Sequence, residues 1–351
     1  MKIEDIKNTR TIRHIYYFFN GILKKGKYKV KAAEALKRFE VEFDDRKKNS
    51  VINDMVREKT FNGIEFSEYL CYRFYDRNKK ERRSIVADWE HLGYACIMNN
   101  HKNDELFDNK WKTFNKFKKY YKREVVLFEG QDDVARFKNF MEDKESFVVK
   151  LLDASCGRGV QIVEKSDFDG DVNIEEMLIK EYSGRFIAEE LVVQHSEMAK
   201  FHPASLNTVR IPTIRLDDET LVVNPFMRLG RNGKNVDNAG AGGIICAVDV
   251  ETGKIIAAAD RDGKSYTKHP ESGEQIVGFE IPLWNEAKKL VRELAEVVPD
   301  NRYTGWDMAL TDEGWKLIEA NRRGQFVWQI PTQVGFREEI NTILKRMGRK
   351  Y

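Results

Sequence analysis

Residues Gly305 to Gln325 read G-W-D-M-A-L-T-D-E-G-W-K-L-I-E-A-N-R-R-G-Q. Met308, Leu310, Leu317 and Ile318 supply strand propensity, and Thr311 to Gly314 carries turn residues. With a three-residue loop of Asp312, Glu313 and left-handed Gly314, Thr311 faces Trp315. Counting outward then sets Asp307 opposite Glu319. Cross-strand partners share a face about 5 Å apart, and Asn321 returns to that face by the two-residue period. Two carboxylates and an amide oxygen on a rigid hairpin are hard donors that suit Mg²⁺, which keeps its other positions for water and phosphate. A surface hairpin with scattered acids has the same composition, so the choice depends on what lies upstream.

A chain of 351 residues is long enough for two or three domains. No apolar run approaches the length of about 18 residues that spans a bilayer, and Met1 to Arg13 lacks the apolar core of a signal peptide. Cys71, Cys96, Cys156 and Cys246 are widely spaced, which argues against structural zinc and a disulfide framework. The expectation is a cytoplasmic, reduced protein. Net charge is +3 but unevenly spread: residues 1–125 hold 30 Lys and Arg against 19 Asp and Glu, and residues 126–351 hold 30 against 38. A basic segment packed beside an acidic one within the protein explains this. No aromatic-basic nucleic-acid motif accompanies it, and peripheral contact with an anionic membrane stays open.

Ile3, Ile6, Ile12, Ile15, Phe18 and Phe19 recur at helical intervals, as do Val30, Ala33, Leu36 and Phe39 to Val41. Further helices are predicted around Val51–Lys59, Phe66–Tyr75 and Arg82–Leu92. Residues 1–105 are thus expected to form a helical, basic N-terminal domain. Trp111, Phe114, Phe117 and Tyr121 mark one more amphipathic helix. Strands are predicted at Glu124–Phe128, Ser146–Leu152, Val160–Glu164, Arg185–Val193, Thr208–Leu216, Leu221–Leu229, Gly243–Val250 and Lys254–Ala258. Helices are predicted at Gln131–Glu142, Ile174–Tyr182 (N-cap Asn173), Trp284–Val297 and Phe336–Met347. The fold class is α+β, with antiparallel rather than Rossmann-like sheets. Subdomains are placed at 106–193 and 194–351.

Lys150 ends a buried-type strand and precedes the small-residue loop of Ser155, Cys156, Gly157, Arg158 and Gly159. Such a loop lets backbone N–H groups approach an anion, and the lysine adds a point charge for α- or β-phosphate. It is neither a P-loop nor a dinucleotide fingerprint, since a strand follows it. In the strand that ends Glu189-Glu190-Leu191-Val192, backbone groups suit an adenine edge, and Glu189 or Glu190 can accept from its amine. Glu197 is placed to take a ribose hydroxyl; a solvated strand edge is the competing reading. Arg210, Arg228 and Arg231, with Asn238 in a glycine-rich turn, suit phosphoryl or carboxylate oxygens, or else ordinary salt bridges. His202 and His269 fit an acceptor pocket as well as they fit structural roles, and the charged loop Arg261–Gly273 is read as a substrate lid.

In order, these segments resemble the ATP-grasp superfamily, and within it the sugar-transfer-associated family found with polysaccharide biosynthesis. The resemblance rests on the lysine strand and loop at Val148–Val160, the hinge Ala188–Val192 and S-L-N-T-V-R-I at Ser205–Ile211. It also rests on the turn at 238–243, H-P-E-S-G-E-Q-I-V-G-F-E-I-P-L-W at 269–284, and G-W-D-M-A-L…L-I-E-A-N at 305–321. It covers roughly residues 106 to 335. It implies an ATP-grasp fold, two α+β subdomains enclosing ATP, here preceded by a helical segment where many relatives carry an α/β domain. Lys150 would hold α/β-phosphate beneath the 155–159 loop. Asp307, Glu319 and Asn321 would hold two Mg²⁺ ions (Mn²⁺ as a substitute). Arg228 would stabilise the transferring phosphoryl, with Arg210 and Asn238 at the carboxylate or acyl phosphate. The expected activity is a carboxylate ligase that forms an amide or related bond through an acyl phosphate, in polysaccharide or sugar-conjugate biosynthesis. Its partners would be a small carboxylate and an amine or sugar-linked acceptor. The alternatives are a kinase acting on a hydroxyl and a non-catalytic nucleotide-binding partner of a glycosyltransferase.

Overall fold

Helical periodicity dominates up to residue 121 and two-residue alternation thereafter, and the backbone follows that division. The computed structural model describes residues 10–153, 159–167, 174–234, 237, 240 and 242–351. Among the described residues eight α-helices come first: α1 (Arg10–Leu23), α2 (Lys25–Arg38), α3 (Asp45–Asn62), α4 (Phe66–Cys71), α5 (Lys79–Ser84), α6 (Asp88–Met98), α7 (Asp104–Asp108) and α8 (Lys110–Tyr121). The Asp44 carboxylate caps α3 by accepting from the Lys47 N–H at 2.9 Å, satisfying one of the donors a helix start leaves open. Gly21 lets α1 approach α3: a Cβ there would collide with the Thr60 side chain. The seam between them is narrow. Tyr17 and Gly21 point inward, whereas Ile12, Ile15, Phe18 and Phe19, the residues that announced the helix, are exposed.

A four-stranded antiparallel sheet follows, from β1 (Val125–Phe128), α9 (Val134–Glu142), β2 (Ser146–Leu151), β3 (Val160–Glu164), α10 (Ile174–Glu181) and β4 (Phe186–Glu190), in the order β1-β4-β2-β3. Its core is aromatic, with Phe128, Phe137, Phe140, Phe147 and Phe186 in stacked and edge contacts.

The rest of the chain gives α11 (Ser196–Ala199), β5 (Val209–Arg215), β6 (Thr220–Val222), β7 (Phe226–Leu229), β8 (Ile244–Val248), β9 (Ile255–Ala259), α12 (Trp284–Val297), β10 (Tyr303–Thr311), β11 (Gly314–Asn321), α13 (Gln329–Thr332) and α14 (Arg337–Arg346). The second sheet runs β11-β10-β5-β7-β8-β9, with β6 also against β5. One apolar cluster joins α8 and α12 to this sheet through Phe117, Val291, Trp306 and Leu310. Another joins the N-terminal helices to it through Phe226, Ile245 and Ala259.

The helix expected over Arg82–Leu92 is two, α5 and α6, parted by the non-helical residues 85–87, and two elements of the large sheet also differ from the sequence reading. The single strand expected over Leu221–Leu229 is two, β6 and β7: Asn224 adopts φ +46° and Pro225 has no N–H to give, so the ladder breaks between them. In the hairpin, Thr311 pairs with Gly314 (φ +96°) and Leu310 with Trp315, so the turn is one residue shorter than expected. A bulge at Ile318 restores the missing residue, and Asp307 still faces Glu319.

Candidate active site at the seam between the sheets

Strand register assembles the first half of the site. Asp307 on β10 lies opposite Arg210 on β5 and Glu319 on β11, and the Arg228 N–H donates to the Thr208 carbonyl at 2.8 Å. Cross-strand partners share a face, so these side chains meet. Arg210 donates Nε to Oδ1 of Asp307 at 2.5 Å and a terminal nitrogen to Oδ2 at 2.6 Å. Arg228 reaches Oδ2 at 3.1 Å, and the Asn321 amide donates to it at 3.4 Å. Arg228 also donates to the Thr208 hydroxyl at 2.6 Å and lies 3.5 Å from Asp237. Burial pushes the Asp307 carboxyl up, and Arg210 and Arg228 outweigh it, holding it down at about 2. Burial works against the Arg228 charge too, but Asp237 and Asp307 keep its guanidinium firmly protonated.

The second half sits on the small sheet. Glu189 on β4 is buried, and its Oε2 accepts from Lys150 Nζ at 2.9 Å and from Arg123 at 2.6 and 3.0 Å. Burial again raises the carboxyl, and Arg123 and Lys150 bring it down to about 2. Arg123 also crosses the seam, donating to the carbonyls of Leu317 at 2.6 Å and Ile318 at 3.3 Å. A continuous chain therefore runs from Lys150 through Glu189 and Arg123 to the bulge beside Glu319. Lys110, at the start of α8, lies in the same neighbourhood: burial lowers its ammonium, Glu319 pulls it up and Lys150 pushes it down.

The structure thus brings Lys150, Glu189, Arg210, Arg228, Asp307, Glu319 and Asn321 into one zone. Glu189 is not on an open edge, because its carboxylate is already held by two cations. Likewise, Arg210 directs its fork at Asp307 rather than into open space. Glu190 is exposed and accepts from the Glu124 N–H, and Leu191 and Val192 are half-buried in the segment leading to α11. Glu197 is exposed and pairs with Lys200 at 2.9 Å. Ser155, Cys156, Gly157, Arg158 and Asn238, with the expected cap Asn173, lie outside the described residues; Gly159 immediately precedes β3, and its carbonyl accepts from the Leu151 N–H.

His202 and His269 are buried, with ring centroids 6.1 Å apart. The His269 Nε2–H donates to the Gly230 carbonyl at 2.9 Å, while His202 Nδ1 meets the Ser205 hydroxyl at 3.0 Å. Asn207 donates to the Met198 and His202 carbonyls and accepts from the Gly230 N–H, tying the S-L-N-T-V-R run to the turn before it. Arg231 packs against Tyr266 and lies 3.4 Å from Asp260. Arg123 and Lys110 are the members of the zone that sequence reading missed. Both sit in lysine-rich stretches whose composition signals a solvated helix face, and no local pattern separates them from their neighbours.

The donor set is a mixed fit for a divalent cation. Glu319 and Asn321 offer hard oxygens beside buried charge, but both Asp307 oxygens are engaged by cationic donors, and Arg228 makes the longest of these ion contacts. A metal at Asp307 requires that contact to yield. Among the described residues no group of three His, Cys, Asp or Glu side chains is arranged to hold a metal ion. No helix among them is long and apolar enough to cross a membrane. A separate cavity of about 770 Å³, lined by His101, Lys102, Asp300 and Arg302 among others, holds none of the expected site residues.

Comparison with known proteins follows the same lines. The sequence profile described as sugar-transfer associated ATP-grasp matches residues 92–345. Among solved structures, N5-carboxyaminoimidazole synthetase from Staphylococcus aureus, complexed with ADP, is similar at 10% identity and a TM-score of 0.42, over 65% of this chain and 48% of that one. An ADP complex of purK, N5-carboxyaminoimidazole ribonucleotide synthetase, gives 13%, 0.43, 72% and 58%. The ATP-grasp ligase PsnB with minimal precursor, Mg and ADP gives 13%, 0.43, 74% and 69%. The chain therefore spans about half to two-thirds of the length of these proteins. No curated protein sequence matches it.

Proposed function

The chain belongs to the sugar-transfer associated ATP-grasp family, and from that premise we propose that it is a Mg²⁺·ATP-dependent carboxylate ligase. The observation that carries this reading is the chain of contacts linking Lys150 to the Asp307, Glu319 and Asn321 cluster across the seam. A phosphate-type cation and a metal-type donor set on opposite sides of one cleft are what a triphosphate needs.

In this reading ATP lies between 106–193 and 194–351. Lys150 leaves Glu189 to meet the α- and β-phosphates, and Arg123 stays behind so that the buried carboxylate is never unpaired. Arg210 fixes the orientation of Asp307. Arg228, held by Thr208, directs its charge at the transferring γ-phosphoryl group, where positioning and neutralisation account for most of the catalysis. Mg²⁺, when bound, neutralises phosphate charge, and Glu319, Asn321 and Asp307 are the residues that would hold it; two ions and Mn²⁺ substitution belong to the same proposal. The phosphate loop Ser155–Gly159, the hinge Ala188–Val192, Glu197 at ribose and Asn238 at the carboxylate are assigned from sequence. A substrate carboxylate oxygen attacks the γ-phosphorus and ADP departs. An amine then attacks the acyl carbon of the resulting acyl phosphate and inorganic phosphate leaves. The sugar association of the family points to an amino sugar or sugar-linked acceptor.

The test is release of inorganic phosphate from ATP in the presence of amino acids crossed with amino sugars and nucleotide sugars. Acceptor-dependent release by the wild type, lost in Glu319→Gln, is expected. Phosphate found on a hydroxyl acceptor instead would reassign the protein as a kinase, and ATP binding without turnover across the panel would refute catalysis.

A further inference from the structure

Thirteen large hydrophobic side chains are exposed among the described residues, and nine of them lie on α1, on α2 or at the end of α3. Their distribution is not random. At about 100° per residue, the exposed apolar side chains of α1 occupy an arc of roughly 160° on its outer side. Phe19 is 59% and Leu23 81% exposed. The inner side, Tyr17 and Gly21, already docks the helix on α3, so the outer arc contributes nothing to the fold. Phe61 of α3 extends the patch through its ring contact with Phe18 at 5.9 Å.

Charge identifies what covers this face. Residues 10–38 contain nine Lys and Arg against one Glu, and Lys24, Lys25, Lys27, Lys29 and Lys31 are all exposed. A second copy of the chain would bring two such basic rims together, which like-charge repulsion opposes. An anionic bilayer supplies both complements at once: acyl chains for the apolar arc and headgroup phosphates or carboxylates for the lysines. At about 1.5 Å per residue, the 14 described residues of α1 are long enough to lie in a membrane surface, and no helix among the described residues is long and apolar enough to cross one.

We propose that α1 is a peripheral membrane anchor, seating the protein on an anionic lipid surface by its outer apolar arc and the lysines that follow it. This is independent of what the seam between the sheets catalyses. The test is flotation of the full chain with phosphatidylcholine vesicles, with and without phosphatidylserine, at low and high salt. Binding to phosphatidylserine vesicles is expected, weakened by salt. Phe19→Asp with Ile22→Asp, and separately Lys25→Glu with Lys27→Glu and Lys29→Glu, should each weaken it about tenfold or more. All these positions are exposed, so thermal midpoints should not move; if the apolar variant melts early, the lysine variant decides. Three results would overturn the proposal. One is no phosphatidylserine-dependent binding, and another is binding that both variants leave unchanged. The third is self-association without vesicle binding, abolished by Phe19→Asp with Ile22→Asp, which would give the face to a second copy.

Discussion

Glu189 on the small sheet and Asp307 on the large one are built alike up to a point. Each is a buried carboxylate held by two cations and kept at about 2. In each case one cation is nearly inaccessible, Arg123 at 2% and Arg210 at 6% side-chain exposure, while the other is more open, Lys150 at 14% and Arg228 at 15%. The clusters part at that second cation. Arg228 is also pinned by Thr208 and Asp237, whereas Lys150 is a flexible stem that meets Glu189 at 2.9 Å. A fixed fork suits a transition state whose geometry is always the same, and a mobile ammonium suits a ligand that enters and leaves. On the proposed function, the buried arginines would anchor the two carboxylates and the outer cations would meet the substrate.

That distinction can be broken at several points. The largest expected effect is from Glu319→Gln, which should lower ATP turnover on the order of 10³-fold with an unchanged thermal midpoint. Turnover near wild type would empty the proposed metal site. Arg228→Ala should reduce kcat by about 10²–10³-fold, and a milder loss would mean its pinned geometry serves the fold alone. Arg123→Ala should cost about 3 kcal/mol in denaturant unfolding, since one partner of a buried ion pair is removed. Lys150→Ala should leave stability nearly intact and raise the KM for ATP about tenfold. If instead Lys150→Ala unfolds the protein and Arg123→Ala is tolerated, the two roles have been assigned the wrong way round.

The smallest effect is on pH. Both carboxylates have folded values depressed below their ordinary ones, so their contribution is complete above about pH 5 and is lost as pH falls from about 4.5 toward 2. At pH 4 the two together should cost about 1 kcal/mol, measurable as a lower denaturant midpoint. No change there would mean that the two carboxylates are not depressed.

Local signals made much of this legible. The helical N-terminal region, the strands around Lys150 and the Asp307–Glu319 pairing all follow from period, turn residues and counting. The hairpin shows the limit of counting: its extra residue sits in a bulge at Ile318, not in the turn, because Gly314 pairs directly with Thr311. What the sequence does not display is who neutralises whom. Arg123 is 66 residues from Glu189 and its role depends on the two sheets meeting, which no window of residues encodes. The apolar period of α1 gave the helix correctly but not its orientation, since burial is decided by the small surface of Gly21 against Thr60.

The irregularity in β11 carries one more implication. Because Ile318 is the residue left without a partner, deleting it would smooth the ladder while leaving Glu319 opposite Asp307 and Asn321 opposite Gly305. The loss would fall on Arg123, which donates to the Ile318 carbonyl as well as to that of Leu317. The bulge therefore serves the contact between the two sheets more than the pairing within one.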